Sequence, residues 1–319
     1  MKQQTGAAFK KGCLYCTLAG AAWGFAGVCG QFLFDGRFWS VDFIIPLRIL
    51  LAGLIMLPVA LRSEGTAGFR RIFQSRRNMA DLLIFGVLGI GLCQYSYYTT
   101  IRMANATTAT VLCYLSPVLI ILWQTVKLRA LPEKKELLAV LLAVAGTFFL
   151  TTHGNLGSLA LSAGALVWGL ISALATAVYS VQPRRLTGEC GTLTATSLGM
   201  IAAGIVLCLI RQPWNHAEGV FDVSAWACFF VIVLVGSVLC FGLYFSGVAL
   251  IGPSKASILG ATEPLVSALL SVFWLHVAFL PMDYVGFVMV VSTIFVLALP
   301  MGSHGAAAHG GEMYENRCQ

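Results

Sequence analysis

Charge is what this sequence has least of. Lys, Arg, Asp and Glu make up 10% of its 319 residues, where a water-soluble domain carries about a quarter. That scarcity excludes an ordinary soluble protein. Histidine is rarer still, with five in the whole chain, and the His, Asp and Glu residues are scattered. An enzyme site needs convergent titratable groups, and no H-E-x-x-H, G-x-S-x-G or P-loop pattern occurs. No soluble effector domain fits between the apolar runs, which counts against a scaffold or sensor. Of the ten cysteines, Cys29, Cys93, Cys113, Cys208, Cys228 and Cys240 lie inside apolar runs, where cysteine behaves as a small hydrophobe. Cys13 and Cys16 form a C-x-x-C, but zinc would need about two more ligands nearby and none are present. No metal or cofactor is expected. The net charge of +7 sits in short loops, where it reads as a topology signal beside anionic lipid, with no nucleic-acid partner implied.

What the chain has in abundance is apolar sequence, 58% of its residues. We read ten spans, near 13–34, 41–61, 80–100, 105–126, 136–152, 159–181, 193–210, 224–246, 254–277 and 283–300. The first is too long for a signal peptide and is followed by others, so it is a membrane helix. Residues 1–12 form a short N-terminus, and 301–319 a small, polar, aperiodic tail expected to be disordered. Lys2, Lys10 and Lys11 share one side of the membrane with Arg62, Arg70, Arg71, Arg76, Arg77, Lys127, Arg129, Lys134, Lys135, Arg184, Arg185, Lys255 and Arg317. The opposite loops hold Arg37, Arg102 and Arg211. The positive-inside rule places both termini in the cytoplasm of a cell-membrane protein.

The stretch from Ser254 to His276 carries Glu263 nearly halfway along, with Pro264 next. A carboxylate at that depth costs several kcal/mol unless it faces a protein interior or wet cavity. The proline removes a helix hydrogen bond and frees a carbonyl one turn earlier. Ser267, Ser271 and Trp274 continue the same helical face.

The chain also repeats. A shift of 147 residues carries Pro117 onto Pro264, Gly89 onto Gly236, Cys93 onto Cys240 and Tyr97 onto Tyr244. A shift of 145 sets Trp23-Gly24 on Trp168-Gly169, and the stripe Gly20, Gly24, Gly27, Gln31 on Ala165, Gly169, Ser172, Thr176. Small residues at that spacing let helix backbones approach closely. Each half, 13–152 and 159–300, has five spans, so equivalent halves enter the membrane in opposite directions. Inverted repeats are the usual build of secondary transporters with a midplane site. The fold expected is an all-α polytopic membrane protein, ten transmembrane helices as two inverted five-helix repeats.

PLRILLAG in the second span, YLSPVLIILWQTV and EKKELLAVLLAVAGTFFL in the fourth and fifth, and ATEPLVSALLSVFW and DYVGFVMVVSTIFVLAL in the ninth and tenth make the chain resemble the drug/metabolite transporter superfamily with paired EamA-type domains. AGAAWG and GALVWG, opening spans one and six, match as well. The resemblance implies two EamA-type repeats and export of a small metabolite, amino-acid-like or another small organic solute. A membrane enzyme and a non-transporting scaffold are the competing readings.

Eight residues are candidates for substrate binding or coupling. Glu263 leads. Ser116 is its repeat partner, and it could equally bond back to its own helix. Arg48 lies within a span, where arginine pairs, faces water or snorkels to the surface; whether it reaches Glu263 is open. Gln94 begins a run through Thr100 too polar to face lipid all round, and Tyr97 lies in it. Tyr97 and Tyr244 also read as interfacial tyrosines, and Trp23 and Trp168 as packing anchors or stacking platforms. The expected partners are a small-molecule substrate and the lipid bilayer, with proton or sodium coupling open.

Overall fold

A computed structural model describes residues 6–128, 134–152, 161–251, 256, 259–260 and 262–298. Among them the chain is helical throughout, with no strand. The elements are α1 (Gly6–Arg37), α2 (Val41–Glu64), α3 (Ala67–Gln74), and α4, in which Arg76–Leu83, a π-helical stretch Ile84–Gly91 and Leu92–Met103 run on. Then come α5 (Ala106–Cys113), α6 (Ser116–Leu128), α7 (Lys134–Thr152), α8 (Ala163–Val181), α9 (Arg184–Cys190) and α10 (Thr192–Arg211). In α11, Val223–Phe230, a π-helical stretch Val231–Leu239 and Cys240–Ile251 are continuous, and α12 (Thr262–Phe273) and α13 (Pro281–Ala298) follow.

Short polar residues between the apolar runs cap the helices. Ser40 accepts from Asp42 N–H, Ser75 from Asn78, Asn105 from Thr108, Ser162 from Ala165 and Asp222 from Ala225. At α10 the cap comes from far away in sequence. The Glu64 carboxylate accepts from the N–H groups of Leu193 and Thr194, both at 2.9 Å.

Packing obeys an exchange rule. α1 of the first half lies along α11 and α12 of the second, and α8 of the second half lies along α4, α5 and α6 of the first. Swapping the halves maps one set of contacts onto the other. Two further pairs, α2 with α10 and α7 with α13, each join repeat-equivalent helices, and α4 against α10 is matched by α11 against α2. α2 and α10 run antiparallel: Glu64 meets Leu193, Gly53 meets Ser197 and Ile201, Leu50 meets Gly204, and Asp42 meets Arg211.

Seven helices among the described residues are long and apolar enough to cross a bilayer. Leu137–Phe149 and Thr262–Phe273 are apolar but shorter. The fourth span, read as one run over 105–126, is divided into α5 and α6 by a turn at Tyr114 and Leu115. Pro117 explains the break, because it has no N–H for the carbonyl of Cys113. The ninth span, read as 254–277, ends earlier, at Phe273. Beyond it the chain turns back, Leu275 N–H bonding to Leu270 and Val277 N–H to Ser271, with His276 at φ 54°. Trp274, whose N–H still bonds to Leu270, stacks beside Phe25 and Phe32 of α1. The start of that span, at 254, and the 301–319 tail lie outside the described residues. Between the second and third spans lies α3.

Candidate binding and coupling site

The small-residue stripe of α1 sets the site. A Cβ at Gly24 would sit 2.5 Å from the carbonyl oxygen of Glu263 and 3.0 Å from the N–H of Ser267. At Gly20 it would collide with Thr262 and the carbonyl of Gly260. Only glycine lets α1 and α12 approach so closely. A Cβ at Gly27, next on the stripe, would sit 2.9 Å from the Tyr97 hydroxyl oxygen. Gln31 finishes the stripe by accepting from the N–H of Ala106 at the start of α5, 2.9 Å.

That approach brings Glu263 onto the broken fourth span. Pro264 has no N–H, so the carbonyl of Gly260 loses its helix partner. The Tyr114 hydroxyl lies 3.0 Å from that carbonyl and 3.2 Å from Glu263 Oε2. It sits there because the helix opens at Tyr114, ahead of Pro117. Glu263 is half-buried, whereas Ser267, one turn on, is fully buried and its Oγ has no partner. Ser271 accepts from Thr107 Oγ1 at 3.2 Å.

A second polar cluster lies around Arg48, which is 3% exposed and so does not snorkel to the surface. Its Nη1 donates to Gln94 Oε1 at 2.8 Å, and its guanidinium lies 4.7 Å from the Tyr98 ring centroid. A desolvated cation–π contact contributes about 2 kcal/mol and a charged hydrogen bond about 1.5–3 kcal/mol. Together they offset much of the several kcal/mol that burying an ion costs. The Arg48–Glu263 pair is not formed; each group is taken by a nearer partner. Both clusters lie beside α1, where Gly24 meets Glu263 and, two residues on, Ala26 meets Gly236 next to Arg48.

The other candidates fall around these clusters. Tyr97 is buried, its hydroxyl 2.7 Å from Thr110 Oγ1. Trp23 packs against Phe241 and Tyr244, and Tyr244 faces Gly260. Trp168 stands edge-on to Tyr95, at one end of the bundle, where the Tyr95 hydroxyl donates to Asp42 at 2.7 Å and Asp42 pairs with Arg211 at 3.0 Å. Ser116 is buried at the start of α6. Sequence reasoning missed Tyr114 and Tyr98. The only available signal for Tyr114 was that the carbonyl freed by Pro264 needs a donor. A cavity of about 270 Å³ lies beside α12, lined by Asn105, Thr107, Thr108, Ser162, Asp283 and Ala268 among others. Ala268 is five residues from Glu263, about 7–8 Å along the helix axis.

A family model described as the EamA-like transporter family matches the chain twice, over residues 10–152 and 163–299. The chain belongs to the EamA-like transporter family. It is thus a multi-pass membrane transporter and not an enzyme. A Salmonella typhimurium protein named "Uncharacterized inner membrane transporter YicL" is 38% identical over 302 residues, covering 94% of this chain and 99% of that one. The Bacillus subtilis "Uncharacterized transporter YyaM" is 22% identical over 70% of this chain and 73% of its own. A solved crystal structure superposes with TM-score 0.62 at 17% identity, over 90% of this chain and 96% of that one, a likeness of fold alone.

Proposed function

We propose that this transporter moves a small organic solute across the cytoplasmic membrane by alternating access, with ten crossings built as two inverted five-helix repeats. α7, α12 and α13 supply the three crossings beyond the seven long helices. Antiparallel packing of the equivalent helices α2 and α10 supports inversion, as does the exchange rule among the other pairs. Both termini lie in the cytoplasm, and the cell membrane is the counterpart of the inner membrane in the relative's name. Outward movement of an amino-acid-like or similar solute is the direction the family resemblance favours.

The observation that carries this reading is Glu263, a carboxylate within an apolar bundle, in contact with Tyr114 from the other half. Tyr114 has one hydroxyl hydrogen for two acceptors. An ionised Glu263 takes it. A protonated Glu263 donates its own hydrogen to the Tyr114 oxygen, and the hydroxyl hydrogen turns to Gly260. Loading a proton on Glu263 therefore changes a contact between the halves, which suits proton coupling better than sodium coupling. Arg48, Gln94, Tyr97, Tyr244, Trp23, Trp168 and Ser116 line or support the solute site.

The test is flux into vesicles that hold the purified protein, over a panel of anionic, zwitterionic, neutral and cationic solutes. A pH gradient or a sodium gradient is applied in turn. Protein-dependent flux driven by the pH gradient is expected. No flux of any solute would overturn the reading. Labelling of a single cysteine at position 70 from outside intact cells would overturn the topology.

A further inference from the structure

We propose that the free edge of the Arg48 guanidinium binds the carboxylate of the transported solute, which makes the substrate class organic acids. This rests on the transporter reading above and goes beyond it. Among the described residues no carboxylate lies within ion-pair distance of Arg48, although four other ion pairs form there. Only one of its nitrogens is engaged, Nη1 with Gln94 Oε1. Nε is buried with no partner at all. Nη2 takes no hydrogen-bond partner among the described residues and lies on the side of Gly236 that a Cβ would occupy. The unused donors are therefore Nε and Nη2, which share one edge of the guanidinium. That edge matches a carboxylate's two oxygens side-on.

The protein holds this edge ready. Gln94 fixes the far side of the fork and the Tyr98 ring supports its face, so the guanidinium plane is set before a ligand arrives. The wall opposite is the π-helical stretch Val231–Leu239, in which Ser237 Oγ bonds to the carbonyl of Ile232, five residues back. Such stretches recur at functional sites, where the backbone yields a local widening. Gly236 within it puts no side chain against Nη2; a Cβ there would lie 3.8 Å from Nη2 and closer still to Ala26. A neutral solute can accept from one of these donors, as Gln94 does, but brings no countercharge and no pair of oxygens to match the edge. Cationic ones are repelled.

The experiment is a thermal-shift series on the purified full-length protein, with ligand binding read as stabilisation by mass action. The probes are mono- and dicarboxylates of two to six carbons, the matching uncharged amides, the matching amino acids and alkylammonium salts. At least one carboxylate should stabilise the wild type, and its amide should not. Arg48→Gln should weaken the apparent affinity for that carboxylate at least about tenfold. Arg48→Lys, which keeps charge but loses the side-on fork, should fall between. If Arg48→Gln fails to fold, the carboxylate-against-amide difference in the wild type and the Arg48→Lys comparison still decide. No shift with any carboxylate, equal shifts with acid and amide, or unchanged affinity in Arg48→Gln would overturn the proposal. Vesicle flux of neutral or cationic solutes alone would overturn it too, and would leave the transporter reading standing.

Discussion

In the first half, the helix that follows the π-helical stretch of α4 carries Gln94, Tyr97 and Tyr98. In the second half, 147 residues on, the equivalent positions in α11 hold Phe241, Tyr244 and Phe245. One helix further the balance reverses, with Ser116 in the first half against Glu263 in the second. α2 has the buried Arg48, while its equivalent α10 has its one charged residue, Arg211, at its end. The skeleton is repeated and the charges are not. The π-helical stretches begin at Ile84 and Val231, again 147 residues apart, and Pro117 and Pro264 stand at the same shift. Backbone devices, which set how helices bend and pack, are thus kept in both halves. Charges placed inside the bundle cost several kcal/mol each, and Arg48 and Glu263 stand at non-equivalent places in the two halves.

The comparison can be broken most severely at the glycine stripes. Gly24→Ala pushes a methyl onto the backbone of α12, and overpacking of this kind costs about 1–3 kcal/mol. At its counterpart Gly169 the atoms nearest an added Cβ belong to the side chain of Leu112 and not to backbone, so Gly169→Ala should cost less. Melting temperatures of the two variants check this, and equal losses would deny the asymmetry. Tyr114→Phe should follow, at about 1–3 kcal/mol, because it strands the Gly260 carbonyl. Tyr97→Phe should cost about 0.5–1.5 kcal/mol, since its partner is a Thr110 hydroxyl that can rotate to another acceptor. Glu64→Ala removes the cap shared between α2 and α10 and should cost about 0.5–2 kcal/mol, read from the same melts.

The smallest effect concerns Asp222, outside the spans. The Ser224 hydroxyl and the Ala225 N–H hold its carboxyl down at about 2, with Arg37 adding to them. A depressed carboxyl contributes its stability above the ordinary value and loses it as pH falls toward the folded one. The difference in melting temperature between the wild type and Asp222→Asn should be flat from neutral pH to about 5 and shrink only below about 4. A difference that changed between neutral pH and 5 would contradict this.

How much of this was legible depended on range. The glycine stripe, the paired prolines and the lone carboxylate lie on single helices, so periodicity exposed them. Pro264 even predicted a freed carbonyl. Its satisfier is 146 residues away in sequence, and Gln94 is 46 residues from Arg48. Such pairings depend on which helix lies beside which, and period counting is blind to that. The π-helical stretches escaped for another reason, since a widened turn keeps the same apolar composition. Gly86, Gly89 and Gly91 together were the only hint.

Glu263→Gln tests the central claim most directly. Gln keeps the size and an acceptor for Tyr114, but it carries neither charge nor a transferable proton. Proton-driven flux of the transported solute, measured in vesicles at matched protein level, should fall at least about tenfold, a barrier change of about 1.4 kcal/mol, with the melting temperature unchanged. Flux equal to the wild type would reduce Glu263 to a structural residue and contradict the account.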